Sequence, residues 1–178
     1  MAINMNYRRH SYGFSLIEMM ITIVIVGIIS TVLSAALFGL LHGASKADII
    51  KEIKQNGDYT VAVMEIKIRN SLDVSTCTGV ASNQLTILNS DNTQSTFQCN
   101  STSLAIEENI SGTIRVLTNS AVAVPACDTA NIAFTCTSST TGAKAISIAF
   151  NLKEAGTNKT AAETSFQLFK TQVSLRNK

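Results

Sequence analysis

The sequence predicts an α+β chain: one long N-terminal α-helix, apolar in its first half and amphipathic in its second, packed on an antiparallel β-sheet head. Three observations carry this. Met19 to Leu41 contains no charged residue. From Ser45 to about Leu72 apolar side chains recur at helical spacing. Beyond Asp73 the chain turns rich in Ser, Thr and Asn, with short alternating runs broken by turn residues.

Residues 1–13 are short, polar and basic, and read as a cytoplasmic leader. Arg8 and Arg9 supply the whole formal net charge of +2; setting them aside leaves twelve basic side chains against the twelve acidic ones. A balanced remainder gives no electrostatic reason to expect nucleic acid as a partner. Residues 14–44 form the apolar helix. At ~1.5 Å of rise per residue it is long enough for the ~30 Å hydrocarbon core of a bilayer. A basic pair before the span, with no basic excess just after it, places the N-terminus inside and the head outside. Ser34-Ala35-Ala36 resembles a small-residue signal cleavage site, which would put a mature N-terminus near Leu37. Against it, Glu18 interrupts the approach to the apolar region and the helix continues past Ala36.

Glu18 is the anomaly of this stretch. Insertion of an acid at mid-bilayer costs about 2.5–3.5 kcal/mol, so a carboxylate kept at the mouth of a span is a functional suspect. The bland alternative is a headgroup-level residue marking where the span begins. Within the span Gly27, Thr31, Ala35, Gly39 and Gly43 recur every fourth residue, a stripe of small side chains on which another helix can approach closely. Such residues are also common in membrane helices generally.

In residues 45–72 the apolar set is Ile49, Ile50, Ile53, Thr60, Val61, Met64, Ile68 and Leu72, a stripe that packs on a sheet. Glu65 and Arg69 form an i,i+4 pair. Gly57 and the β-branched residues after it predict a bend near Asn56–Asp58. Residues 73–178 form the β-rich head. Strands are expected at Gln84–Leu88, Thr96–Cys99, Leu104–Glu107, Thr113–Leu117, Asn131–Thr135, Ala145–Leu152 and Thr164–Leu175. The sheet needs the helix against one face, because few strands alone are marginal.

All four cysteines, Cys77, Cys99, Cys127 and Cys136, fall in the exported part, and an even count there implies disulfides with three possible connectivities. Sequence order and the need for close Cα approach favour Cys77–Cys99 with Cys127–Cys136. The spacing does not suit zinc, and the two histidines, His10 and His42, both lie outside the head.

Catalytic groups are sparse. Ser and Thr abound in the head, but no histidine is there to activate them. Glu107 and Glu108 point to opposite faces of a strand, a poor acid–base pair, and read as a solvated edge. No phosphate-loop or dinucleotide fingerprint occurs, and no calcium loop. Three glycosylation sequons, at Asn100, Asn109 and Asn158, read as chance in an Asn- and Thr-rich head. The chain is expected to do no chemistry of its own and to need no cofactor.

Gly13-Phe14-Ser15-Leu16-Ile17-Glu18 followed by an apolar helix resembles the processing signature of type IV pilins and of the pseudopilins of type II secretion. The motif joins a leader charge, a glycine, an aromatic, a spaced glutamate and a span, and it covers about the first third of the chain. The resemblance implies a pilin-like fold. A membrane-embedded prepilin peptidase and methyltransferase would cut between Gly13 and Phe14 and N-methylate Phe14. Glu18, fifth after the cut, would meet an N-terminal amine during assembly on an inner-membrane platform with other pilin or pseudopilin subunits. The location implied is the bacterial inner membrane and then the filament. Many relatives carry a proline further along this helix; none stands in this span, which points toward a minor pilin or minor pseudopilin. The closing Val173-Ser174-Leu175-Arg176-Asn177 resembles the tail of minor pseudopilins more loosely. Other readings are a pseudopilin of a secretion or DNA-uptake system, a permanently anchored binding module, and an anchored hydrolase. Failure of cleavage after Gly13 would mark the permanent anchors.

Overall fold

The computed structural model describes residues 13, 15–75, 77–138, 143–156 and 166–175. One helix and nine strands are formed among them: α1 (Leu16–Asn70), β1 (Asp73–Val74), β2 (Leu85–Leu88), β3 (Gln94–Cys99), β4 (Ile106–Ile110), β5 (Thr113–Val116), β6 (Val122–Ala123), β7 (Ile132–Ser138), β8 (Lys144–Glu154) and β9 (Phe166–Ser174). The chain divides into two compact units, Met1–Ser45 and Lys46–Lys178, and α1 contributes to both.

Among the described residues of the first unit α1 is the element formed. Its large apolar side chains from Leu16 to Leu41 are 50 to 79% exposed, so the described part of this unit has no core of its own. The hydroxyls in the stretch are satisfied within the helix: Ser30 Oγ donates to the Val26 carbonyl at 2.7 Å, Thr31 to Ile28 at 2.8 Å and Ser34 to Ser30 at 2.8 Å. A hydroxyl bonded to its own helix backbone needs no water, which suits lipid or a protein core equally.

In the second unit the last turns of α1 lie on two antiparallel sheets. Sheet 1 is a meander in the order β1-β2-β3-β4-β5. Sheet 2 is built on β8, with β9 along one edge and β7 and β6 end to end along the other. Alternation sets the inner faces, as in the buried Ile146, Ile148, Phe150 and Leu152 of β8. With Leu85, Ile87, Phe97 and Ile106 of sheet 1 and Ile53, Met64 and Ile68 of α1 they form one apolar core. The architecture is α+β and pilin-like, as the sequence predicts.

The helix stripe is close to the expected one. Ile53, Thr60, Met64 and Ile68 are buried, Ile49 and Val61 half-buried, and Ile50 and Leu72 exposed. The expected bend near Asn56–Asp58 is not a break: helical bonding runs unbroken through it. Gly57 is there for close approach, since a Cβ built on it would stand 2.0 Å from Cζ of Phe169. That ring stacks on Phe150 at 5.3 Å between centroids.

Strand boundaries differ most at β4, expected at Leu104–Glu107 and found at Ile106–Ile110. The cause is turn chemistry: Asn100 Oδ1 accepts from the backbone N–H groups of Thr102 and Ser103, and Leu104 takes a φ of +55°. Ser111 and Gly112, at φ +49° and +95°, then make the two-residue hairpin turn to β5. The first two residues of the expected Thr164–Leu175 strand lie outside the described residues.

The disulfides connect Cys77 with Cys136 and Cys99 with Cys127, which corrects the expected pairing. The chain after β1 runs along β7, where Gly79 N–H donates to the Cys136 carbonyl and Ser82 pairs with Phe134. That contact sets Cys77 beside Cys136. Val124 N–H donates to the Leu104 carbonyl, bringing the segment before Cys127 to the end of β3. One bridge thus ties the loop after β1 to β7 and the other ties the end of β3 to the loop after β6, whereas pairing by order would have stapled neighbours.

The expectation of a solvated Glu107-Glu108 edge is also overturned. β4 is an interior strand, and both residues are buried, at 3% and 0% exposure. They do face opposite ways. Glu107 accepts from Gln98 Nε2 at 2.7 Å and Asn100 Nδ2 at 3.1 Å. Glu108 lies beneath α1, 3.1 Å from Lys67 Nζ.

Candidate processing and assembly site

The site begins where α1 begins. Gly13 is exposed, with open space where a Cβ would stand. Phe14 and residues 1–12 lie outside the described residues. Ser15 is the N-cap: its carbonyl accepts from the N–H of Glu18 at 3.1 Å and of Met19 at 3.2 Å, and its Oγ accepts from Glu18 N–H at 3.3 Å. Sequence reasoning passed over Ser15, although Ser15-Leu16-Ile17-Glu18 has the S-x-x-E spacing of a capping box.

Glu18 stands in the first turn of α1, exposed, and its carboxylate bonds to nothing among the described residues. The helix dipole favours an anion there by roughly 0.3–1 kcal/mol. Beyond it the helix carries no formal charge until Lys46. The arrangement is a single carboxylate at the end of an apolar cylinder, available to a cation from another molecule. Gly27, Thr31, Ala35, Gly39 and Gly43 lie along this exposed helix. Steps of four residues turn about 40° each, so the stripe winds around the surface rather than running straight.

Among the described residues no group of three or more His, Cys, Asp or Glu could hold a metal ion. All four cysteines are in disulfides. Glu107 and Glu108 have protein partners on opposite faces of β4, so no shared substrate site lies between them. At the head's surface Asp73 bonds Lys144 and the Val74 N–H, which hold its carboxyl below the ordinary 3.8. Asp91 is likewise lowered, by bonds from the Thr93 hydroxyl and N–H.

Comparison with known proteins agrees with this location. Residues 8–34 match the family model of the prokaryotic N-terminal methylation motif. The comparisons with curated proteins and with solved structures each return no match. The matched segment spans Gly13, Glu18 and the first half of the apolar helix, the part of the chain whose exposed surface the head does not explain. Among the described residues one helix is long and apolar enough to cross a membrane, consistent with inner-membrane anchoring. The motif implies processing by a prepilin peptidase and assembly with other pilin subunits. Residues 8–34 thus carry a leader motif of the type IV pilin and pseudopilin kind, which supports a processed, pilin-like subunit.

Proposed function

We propose that this chain is a structural subunit, a minor pilin or pseudopilin, of a type IV pilus-like filament. It waits in the inner membrane and enters the polymer through the first half of α1. Prepilin peptidase cuts between Gly13 and Phe14, and the new amine of Phe14 is N-methylated. Glu18 then meets the ammonium of a neighbouring subunit. An N-terminal amine has an ordinary pKa of about 7.7–8.0 and is mostly protonated near neutral pH. Surrounded by apolar helices, such a cation needs an anion beside it. The stripe of Gly27, Thr31, Ala35 and Gly39 lets those helices approach closely. The observation that carries the reading is the methylation motif with Glu18, an exposed carboxylate in the first turn of a helix that carries no other charge before Lys46.

Glu18→Ala separates this from the boundary-marker reading. The variant should insert, be cleaved and fold its head as the parent does. Its incorporation should fall, because an unpaired buried ammonium costs about 3–5 kcal/mol. Membrane-bound and sheared-filament fractions of parent and variant are compared at matched expression. Equal incorporation would remove the assembly role of Glu18.

A further inference from the structure

Among the described residues β5 ends sheet 1 opposite the two-residue β1, and β9 forms one edge of sheet 2; neither has a strand on its outer side. Each carries two large apolar side chains two residues apart, all more than half exposed: Ile114 and Val116 on β5, Phe166 and Leu168 on β9. Both pairs face away from α1. On β5 the alternate residue, Arg115, reaches the Tyr59 hydroxyl of the helix at 2.8 Å. On β9 the alternate positions turn inward, where Phe169 meets Gly57 and Thr171 donates to Glu65. Exposed edges invite another strand unless lysine, proline or a bulge blunts them. β5 has neither lysine nor proline, and β9 has only Lys170.

The two edges sit on opposite flanks of the buried stripe of α1, as the helix contacts of Tyr59 and Glu65 fix. Charge follows the same division. Asp48 and Glu52 fall with Tyr59 on the β5 flank, where Arg115 offsets one of them and Lys67 is paired with Glu108. Lys51 and Lys54 fall with Glu65 on the β9 flank, where Lys170 adds a third lysine against Asp58 and the Glu65–Arg69 pair is internally balanced.

We propose that the β5 edge of one copy pairs with the β9 edge of a second copy, extending the sheet from head to head; this rests on the filament reading above. The backbone rows supply hydrogen bonds, the two apolar pairs interlock, and the acidic flank meets the basic one. A contact between unlike patches propagates instead of closing, which is the geometry a filament requires. A closed β5-to-β5 pair would leave Phe166 and Leu168 in water and set like charges together.

The test places a photoactivatable phenylalanine at Ile114 in the full-length chain, expressed with its processing and assembly machinery. The same probe at Val26, in the apolar helix, reports assembly itself. Irradiation should give a dimer-mass product from both positions, with the probe at 114 linked to peptides from Phe166–Ser174. Adding Leu168→Lys, an exposed substitution that leaves the core alone, should cut the product from 114 at least tenfold and leave that from 26 unchanged. If 26 cross-links while 114 gives no product, links to another segment, or links to a different protein, the inference fails and the filament reading stands. An undiminished product from 114 in the lysine variant also overturns it. No product from either position would remove both.

Discussion

Single residues in the head carry more than their type suggests. Gly57 is irreplaceable on steric grounds: Gly57→Ala must displace the Phe169 ring from its stack on Phe150. Overpacking of this kind costs about 1–3 kcal/mol, and Phe169→Leu in the same chain should recover part of it. Thermal unfolding of the detergent-solubilised protein reads both; an unaltered Tm for Gly57→Ala would contradict the packing. Glu108 is fully buried beside Lys67, whose side chain is 32% exposed. Removing one partner of a buried pair costs about 3–5 kcal/mol, and the partial exposure of Lys67 sets the low end for Glu108→Gln. Replacing both, as Lys67→Met with Glu108→Leu, should restore most of the loss. Neither role was legible in the sequence. Gly57 reads as a helix breaker until the ring above it is known. Two adjacent glutamates read as solvent-exposed until β4 proves to have strands on both sides.

At the scale of elements, periodicity decided correctly wherever a face is plain. The Ile53–Met64–Ile68 stripe and the Ile146–Ile148–Phe150–Leu152 alternation leave one way to bury each element. It failed where turn chemistry shifts a boundary, as Asn100 and Leu104 do before β4, and for β1 and β6, at two residues each too short to show a pattern. Disulfide connectivity was beyond it, because Cys77 meets Cys136 through the strand pairing of residues 79–82 with β7. Non-reducing peptide mapping should find Cys77–Cys136 and Cys99–Cys127 and no Cys77–Cys99 link. In the chain-entropy account, separations of 59 and 28 residues give contributions of about 4 and 3.5 kcal/mol, so the longer loop matters slightly more. The Asp73–Lys144 pair ties β1 to β8 at the surface. Its carboxyl is lowered when folded, so its stabilisation is present above the unfolded pKa and is lost as pH falls through the folded one. Asp73 is 55% exposed, so the effect is small. The stability gap between parent and Asp73→Asn should therefore narrow below about pH 4. A gap that is constant from about pH 6 to 3 would contradict the pairing.

For the whole molecule, the two units answer to different solvents. The head buries its apolar side chains in a core, and two disulfides tie loops to β7 and β3 around it. The first half of α1 leaves its own exposed and hydroxyl-satisfied, a surface made for lipid and for other helices. The motif and the apolar helix were legible because they are local in sequence. The free edges of β5 and β9 were not, because strand order is a property of the folded head. The most direct test of the account is the mature N-terminus of the chain expressed with its processing machinery, read by intact mass and N-terminal peptide mapping. The account predicts a chain that begins at Phe14 and carries an N-methyl group there. A chain that begins near Leu37, or one that retains Met1 to Gly13, would contradict it.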